Sequence, residues 1–119
     1  MTESAWTTEL FRSIDAKDTQ RFVGFLTEDG QFRFGNAPPA LGRQAITSLL
    51  DGFFASIKAL SHDVANTWTV PDHVICEGKV TYTRHDGSTL SVPFVDVFAM
   101  RGKLIKDYLI YIDASQLYK

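Results

Sequence analysis

The stretch PFVDVFAMRGKLIKDYLIYID, residues 93–113, decides how the rest of the chain is read. Two alternating runs flank Arg101-Gly102, so the segment reads as two strands joined by a turn. Side chains alternate across a strand, which puts Phe94, Asp96 and Phe98 on one face behind Leu90 and Val92. A buried carboxylate is costly unless it is paired, hydrogen-bonded or protonated. Asp96 is therefore either a structural acid with a partner or a pocket residue that does chemistry.

Upstream, HVICEGKVTYTRH and TLSVPFVDVFAM flank Asp86-Gly87, a strong hairpin signal. LSHDVANTWTV precedes them across Pro71-Asp72, which completes an antiparallel meander of four strands with the run after Gly102. Read as a two-residue turn, Asp86-Gly87 pairs Thr83 with Leu90 and Thr81 with Val92, and it puts both threonines on the face of Asp96. Tyr82 and Arg84 then fall on the opposite face. The same count sets Glu77 against Asp96, a repulsive pair, so a bulge or a strand end is expected before that point.

The first sixty residues carry helical spacing instead. Trp6, Leu10, Phe11 and Ile14 share a face of a helix over residues 5 to about 16. Asp18 reads as the N-cap of a second helix, TQRFVGFLTE, and Glu28-Asp29-Gly30 as a turn into the short strand QFRFG. Residues 36–42 form a loop, since prolines lack donors. A third helix runs roughly from Arg43 to Lys58, with Ile46, Leu50, Phe53 and Phe54 on its apolar stripe. Helices followed by a meander make an α+β fold.

At 119 residues the chain is expected to form a single domain over residues 1–119. Its composition is 45% apolar and 13% aromatic, with nine Phe, which suits a fold that lines a cavity as well as fills a core. Net charge is −2 with the signs interspersed, so nucleic-acid binding has little support. No apolar run is long enough for a membrane span, and the acidic, polar N-terminus is unlike a signal peptide. A single cysteine, Cys76, suits a reducing, cytoplasmic setting. Val95 and Val97 make the second face of the meander apolar too, which predicts a homodimer through the outer sheet face.

The segments FLTEDGQFRFG, PALGRQAI, VPFVDVFAMRGKLI and LIYID resemble the SnoaL-like branch of the nuclear-transport-factor-2-like (NTF2-like) superfamily, related to ketosteroid isomerase. The resemblance covers nearly the whole chain. It implies a cone: three N-terminal helices packed on a strongly curved, mainly antiparallel sheet around a pocket. Fold does not fix reaction here, because such cones host isomerases, cyclases, epoxide hydrolases, dehydratases and plain binding modules.

Carried over in register, the steroid isomerases' protonated acid falls on Asp96, but their phenol falls on Leu10 and their base on Phe34. The limonene-epoxide hydrolase positions fall on Lys79, Thr81 and Leu109. Both activities are therefore disfavoured. The acid–base residue of polyketide cyclases has a loose counterpart in Asp107.

The resemblance also implies that His62, Val64, Asn66 and Trp68, and likewise Asp107, Leu109, Tyr111 and Asp113, turn inward. The resulting expectation is a pocket for a small apolar or steroid- or polyketide-like molecule bearing oxygen, with no cofactor and no metal. Asp96 would be the acid–base group and His62 its partner, since histidines titrate near neutrality. Tyr111 would orient the ligand oxygen, with Asp107 as a further acid. Trp6, Leu10, Phe53, Phe54, Trp68, Thr81, Phe98 and Leu109 would line the pocket. The histidines lack metal-ligand spacing, and no serine sits in a nucleophile elbow. An isomerase, cyclase or dehydratase, a non-catalytic binding module and a structural dimerisation domain all stay open.

Overall fold

A computed structural model describes residues 3–118, with side chains from Trp6 onward. Its order is α1 (Glu3–Asp15), α2 (Thr19–Val23), β1 (Leu26–Phe34), β2 (Ala40–Leu41), α3 (Arg43–Ala55), β3 (Ala59–Val70), β4 (His73–Thr83), β5 (Thr89–Arg101) and β6 (Leu104–Ile112). The strands form one curved sheet in the order β2-β1-β6-β5-β4-β3, antiparallel throughout except for the parallel pairing of β1 with β6. The helices pack on its concave face. The expected α+β architecture, the helices and the four-strand meander are all present.

The N-terminal third departs from expectation. Asp18 does cap α2 by accepting from the Arg21 N–H at 3.1 Å, but the helix stops at Val23. Leu26 begins a strand, and the Phe25 carbonyl accepts from the Ile105 N–H. Residues expected to turn, Glu28–Gly30, lie within β1, where its ladder with β6 is interrupted between Leu26 and Gln31. Long-range pairing with β6 overrides a local pattern that fits a helix. The predicted loop at 36–42 contains the two-residue β2. Helix α3 ends three residues before Lys58, where the Ser56 N–H turns back on Gly52 and Phe53.

In the meander, three one-residue offsets set which side chains face inward. The β4–β5 loop has three residues, not two. Arg84 pairs with Ser88, the Gly87 N–H donates to the Arg84 carbonyl, and Gly87 takes φ +90°. This is a turn closed by a left-handed glycine, a common three-residue hairpin. Thr83 consequently pairs with Thr89 and Cys76 with Asp96. A one-residue shift sends every side chain to the other face, so Tyr82 and Val80 point inward in place of Thr81 and Thr83.

The second offset is a bulge in β3 between Val64 and Asn66. It leaves His62 inward, opposite Val80, and turns Trp68 outward, opposite Ile75. Gly78 makes it possible: a Cβ there would stand 2.1 Å from the Asp63 carbonyl oxygen. The third offset is an extra residue in β6, where Ala99 pairs with Asp107 but Met100 pairs with Ile105. Without it Leu109 would oppose Asp96; with it Ile110 does. Tyr108, Ile110 and Ile112 therefore face inward, and Asp107, Leu109 and Tyr111 do not.

Candidate functional site

Between the concave sheet and α3 lies a cavity of about 150 Å³. Phe53 and Phe54 of α3, Phe32 and Phe34 of β1, and Phe94 of β5 make it aromatic. Ala37, Pro38 and Leu49 also line it, and Leu49 is exposed, so the cavity reaches the surface beside the 35–39 loop. Its polar side chains are few: His62, Tyr82, Asp96 and Tyr108.

Asp96 is 2% exposed. The Tyr108 hydroxyl donates to its Oδ2 at 3.3 Å, and its Oδ1 is buried without a protein partner. Burial pushes the Asp96 carboxyl well above the usual carboxylate range, and the single bond from Tyr108 offsets only part of that. Burial thus favours the neutral form of Asp96, and its Oδ1 is left without a protein partner. Burial acts on its neighbours in the same direction. Burial raises Tyr108 far above the ordinary phenol value and raises Tyr82 as well, and it pushes the Cys76 thiol up to about 11. The ring of Phe98 packs on Tyr108 at 4.6 Å and backs the acid from below.

His62 enters from the other side. Its Nδ1 lies 2.6 Å from Asp15 Oδ1, and its backbone N–H donates to Asp15 Oδ2 at 3.0 Å. Its ring packs between Phe11 and Phe94, at 5.0 and 5.3 Å. Asp15 ends α1 one turn beyond Phe11, which brings both residues onto β3.

Of the residues expected at the site, Asp96, His62, Phe53 and Phe54 border the cavity together. Leu10 and Phe98 are fully buried core, and Trp6 packs on Phe25 and Phe98; none of the three borders the cavity. Five others lie on the outer face, corrected by the offsets above. Thr81 bonds Ser91 at 2.7 Å, and Trp68 is half-exposed. Leu109 alternates with the inward Tyr108 and Ile110. Tyr111 lies under the Arg33 guanidinium, 5.2 Å from its ring centroid. Asp107 accepts from Gln31 Nε2 at 3.1 Å and lies 3.7 Å from Lys106 Nζ. Asp113 accepts from the Ser115 N–H and closes the turn after β6.

Sequence reasoning missed Tyr108, Tyr82 and Asp15. The first two were hidden by the hairpin and β6 offsets, which leave no mark in a count of alternating residues. Asp15 had a signal, its i,i+4 spacing from Phe11 on the buried helix face. Among the described residues, no three His, Cys, Asp or Glu side chains gather as a metal site, and no helix is long and apolar enough to cross a membrane.

Residues 7–108 match the SnoaL-like domain family. Similar folds occur in solved structures. A hypothetical protein with a ketosteroid isomerase-like fold from Catenulispora acidiphila, in complex with trimethylamine, superposes with TM-score 0.84 at 17% identity over 92% of this chain and 85% of its own. An NTF2-like protein of unknown function from Burkholderia pseudomallei gives 0.86 at 11% identity, over 98% and 95%. A candidate polyketide cyclase from Xanthomonas campestris gives 0.85 at 19% identity, over 96% and 92%. No curated protein gave a significant match.

Proposed function

The chain belongs to the SnoaL-like domain family, and from that premise we propose that it is an acid–base enzyme acting on a small, apolar, oxygen-bearing molecule held in the cavity. The observation that carries the reading is Asp96 Oδ1, a buried polar atom without a protein partner beside an aromatic hollow. Such an atom is costly to leave unmade, at about 1–3 kcal/mol, and a ligand oxygen that accepts its proton would recover that energy. Tyr108 holds the other carboxyl oxygen and orients the acid. This takes over the role first expected of Tyr111.

The neutral Asp96 donates to a carbonyl or hydroxyl oxygen as negative charge develops there, and His62 takes or returns a proton at a neighbouring carbon. That chemistry fits an isomerisation, a cyclisation or a dehydration. It supports an enzyme over a passive binder because the lining includes a base as well as an acid. The volume favours a compact ligand: an apolar cavity of about 150 Å³ holds one benzene-sized ring. A cyclic enone fits this space, and a steroid does not unless α3 and the 35–39 loop move apart.

The protein acts as a homodimer through its outer sheet face, where Trp68, Val70 and Tyr111 are exposed. Its setting is the cytoplasm, where Cys76 stays a thiol.

The test is NMR titration with cyclohex-2-enone as a single-ring probe. The reading expects shifts at Ile110, Ile112 and Phe53, and at least tenfold weaker binding in Asp96→Leu. It also expects the Asp96 carboxyl carbon to titrate well above the ordinary carboxylate range. An Asp96 that titrates as an ordinary carboxylate would overturn the donor role.

A further inference from the structure

Two independent observations meet at His62. Asp15 grips it twice, with one carboxyl oxygen on the backbone N–H and the other on Nδ1. In addition, His62 lines two hollows: the aromatic cavity, and a separate outer groove bordered by Arg12, Asp15, Asn66 and Thr67. The titratable lining of the cavity is His62, Tyr82, Asp96 and Tyr108; that of the groove is Arg12, Asp15 and His62. Among the described residues, His62 is the one titratable side chain common to both. Asp15 borders only the groove.

We infer that Asp15 is a positioning residue that fixes His62 with its proton on Nδ1 and leaves Nε2 as the base toward the cavity. The inference rests on the acid–base reading above and extends it. A carboxylate has no proton to give, so Oδ1 accepts from Nδ1–H while Oδ2 accepts from the backbone N–H. The partner of one ring nitrogen sets the state of the other. Asp15 occupies Nδ1 and does not itself line the cavity that His62 lines, which leaves Nε2 as the ring nitrogen free to serve it. In turnover, Nε2 takes a proton from a ligand carbon, and the electron pair of that C–H bond passes to the ligand as its enolate. The imidazolium then stands beside Asp15. It returns the Nε2 proton to the ligand, or first exchanges it with water entering at the cavity mouth beside the 35–39 loop, so that solvent hydrogen reaches the enolate carbon.

Asp15→Asn separates this from a merely structural role. Asparagine has one acceptor oxygen. If that oxygen keeps the backbone N–H of His62, the amide N–H donates to Nδ1 and forces the proton onto Nε2, where it blocks the base. The experiment has two arms on the intact chain. Nitrogen-15 NMR of the imidazole at pH 8 reads the tautomer in wild type, Asp15→Asn and Asp15→Ala. Deuterium uptake from D2O into the saturated α′-carbon (C6) of cyclohex-2-enone reads the base, with probe affinity measured alongside.

Wild type is expected to show Nδ1–H with a bare Nε2, and Asp15→Asn to show Nε2–H. Uptake in Asp15→Asn should fall about a hundredfold, in the usual range for a lost general base, while probe affinity stays within about twofold. Wild-type His62 carrying its proton on Nε2, or undiminished uptake in Asp15→Asn, would overturn the inference. Because Asp15→Ala also frees the backbone N–H of β3, far-UV circular dichroism and thermal melting accompany it, and Asp15→Asn carries the decision if it unfolds. If wild type fails to bind the probe, the ligand reading falls, while the nitrogen spectrum still decides the assignment of Asp15.

Discussion

At the scale of the residue, Asp96 ties stability to pH. Burial raises its proton affinity in the folded state, so the unfolded chain gives up the proton first as pH rises. The stabilising contribution of the neutral acid is complete below the unfolded value, near 4, and it is lost as pH rises through the folded value. Wild-type stability relative to Asp96→Asn should therefore fall by up to about 1.4 kcal/mol per pH unit from roughly pH 4 upward. Urea melts of both proteins between pH 4 and 8 measure this, and a constant difference would show that Asp96 titrates normally. Tyr108→Phe removes the bond that partly steadies the charged form. It should raise the Asp96 titration further and cost about 1 kcal/mol at neutral pH, readable by carboxyl-carbon NMR and denaturation.

At the scale of the element, the strands are a framework whose faces are chosen by single residues. Gly78 lies against the β3 backbone at the bulge, and backbone cannot swing aside as a side-chain tip does. Gly78→Ala should cost about 3 kcal/mol in a urea melt and perturb the packing of His62, the one ring that depends on the inward turn of β3. A cost below about 0.5 kcal/mol would mean that the bulge does not need the glycine. The same elements show what a sequence reveals. The strands of the meander were legible to within a few residues because alternation over ten positions is a strong signal. The aromatic row with Asp96 was legible because Phe94, Asp96 and Phe98 lie within one strand. Tyr111 and Thr81 were assigned the wrong face because a bulge is a property of two strands together. The early end of α2 was hidden for a related reason, since β6, some eighty residues away, recruits Leu26.

At the scale of the whole molecule, the sheet has two unlike surfaces. The inner one is covered by helices, while the outer one exposes Trp68 at 50% and Tyr111 at 51%. An uncovered apolar face of this kind favours self-association. Sedimentation at micromolar concentration should give twice the monomer mass, and Trp68→Glu should give monomer with unchanged far-UV circular dichroism. A wild-type monomer at that concentration would refute the dimer.

The parallel pairing of β1 with β6 has a consequence for biosynthesis. A strand laid down early has its main partner in the last strand of the fold, so the sheet cannot be completed until β6 has been made. Until β6 emerges, β1 and the apolar stripes of the helices stay unsatisfied, which makes the nascent chain a natural client for holding chaperones.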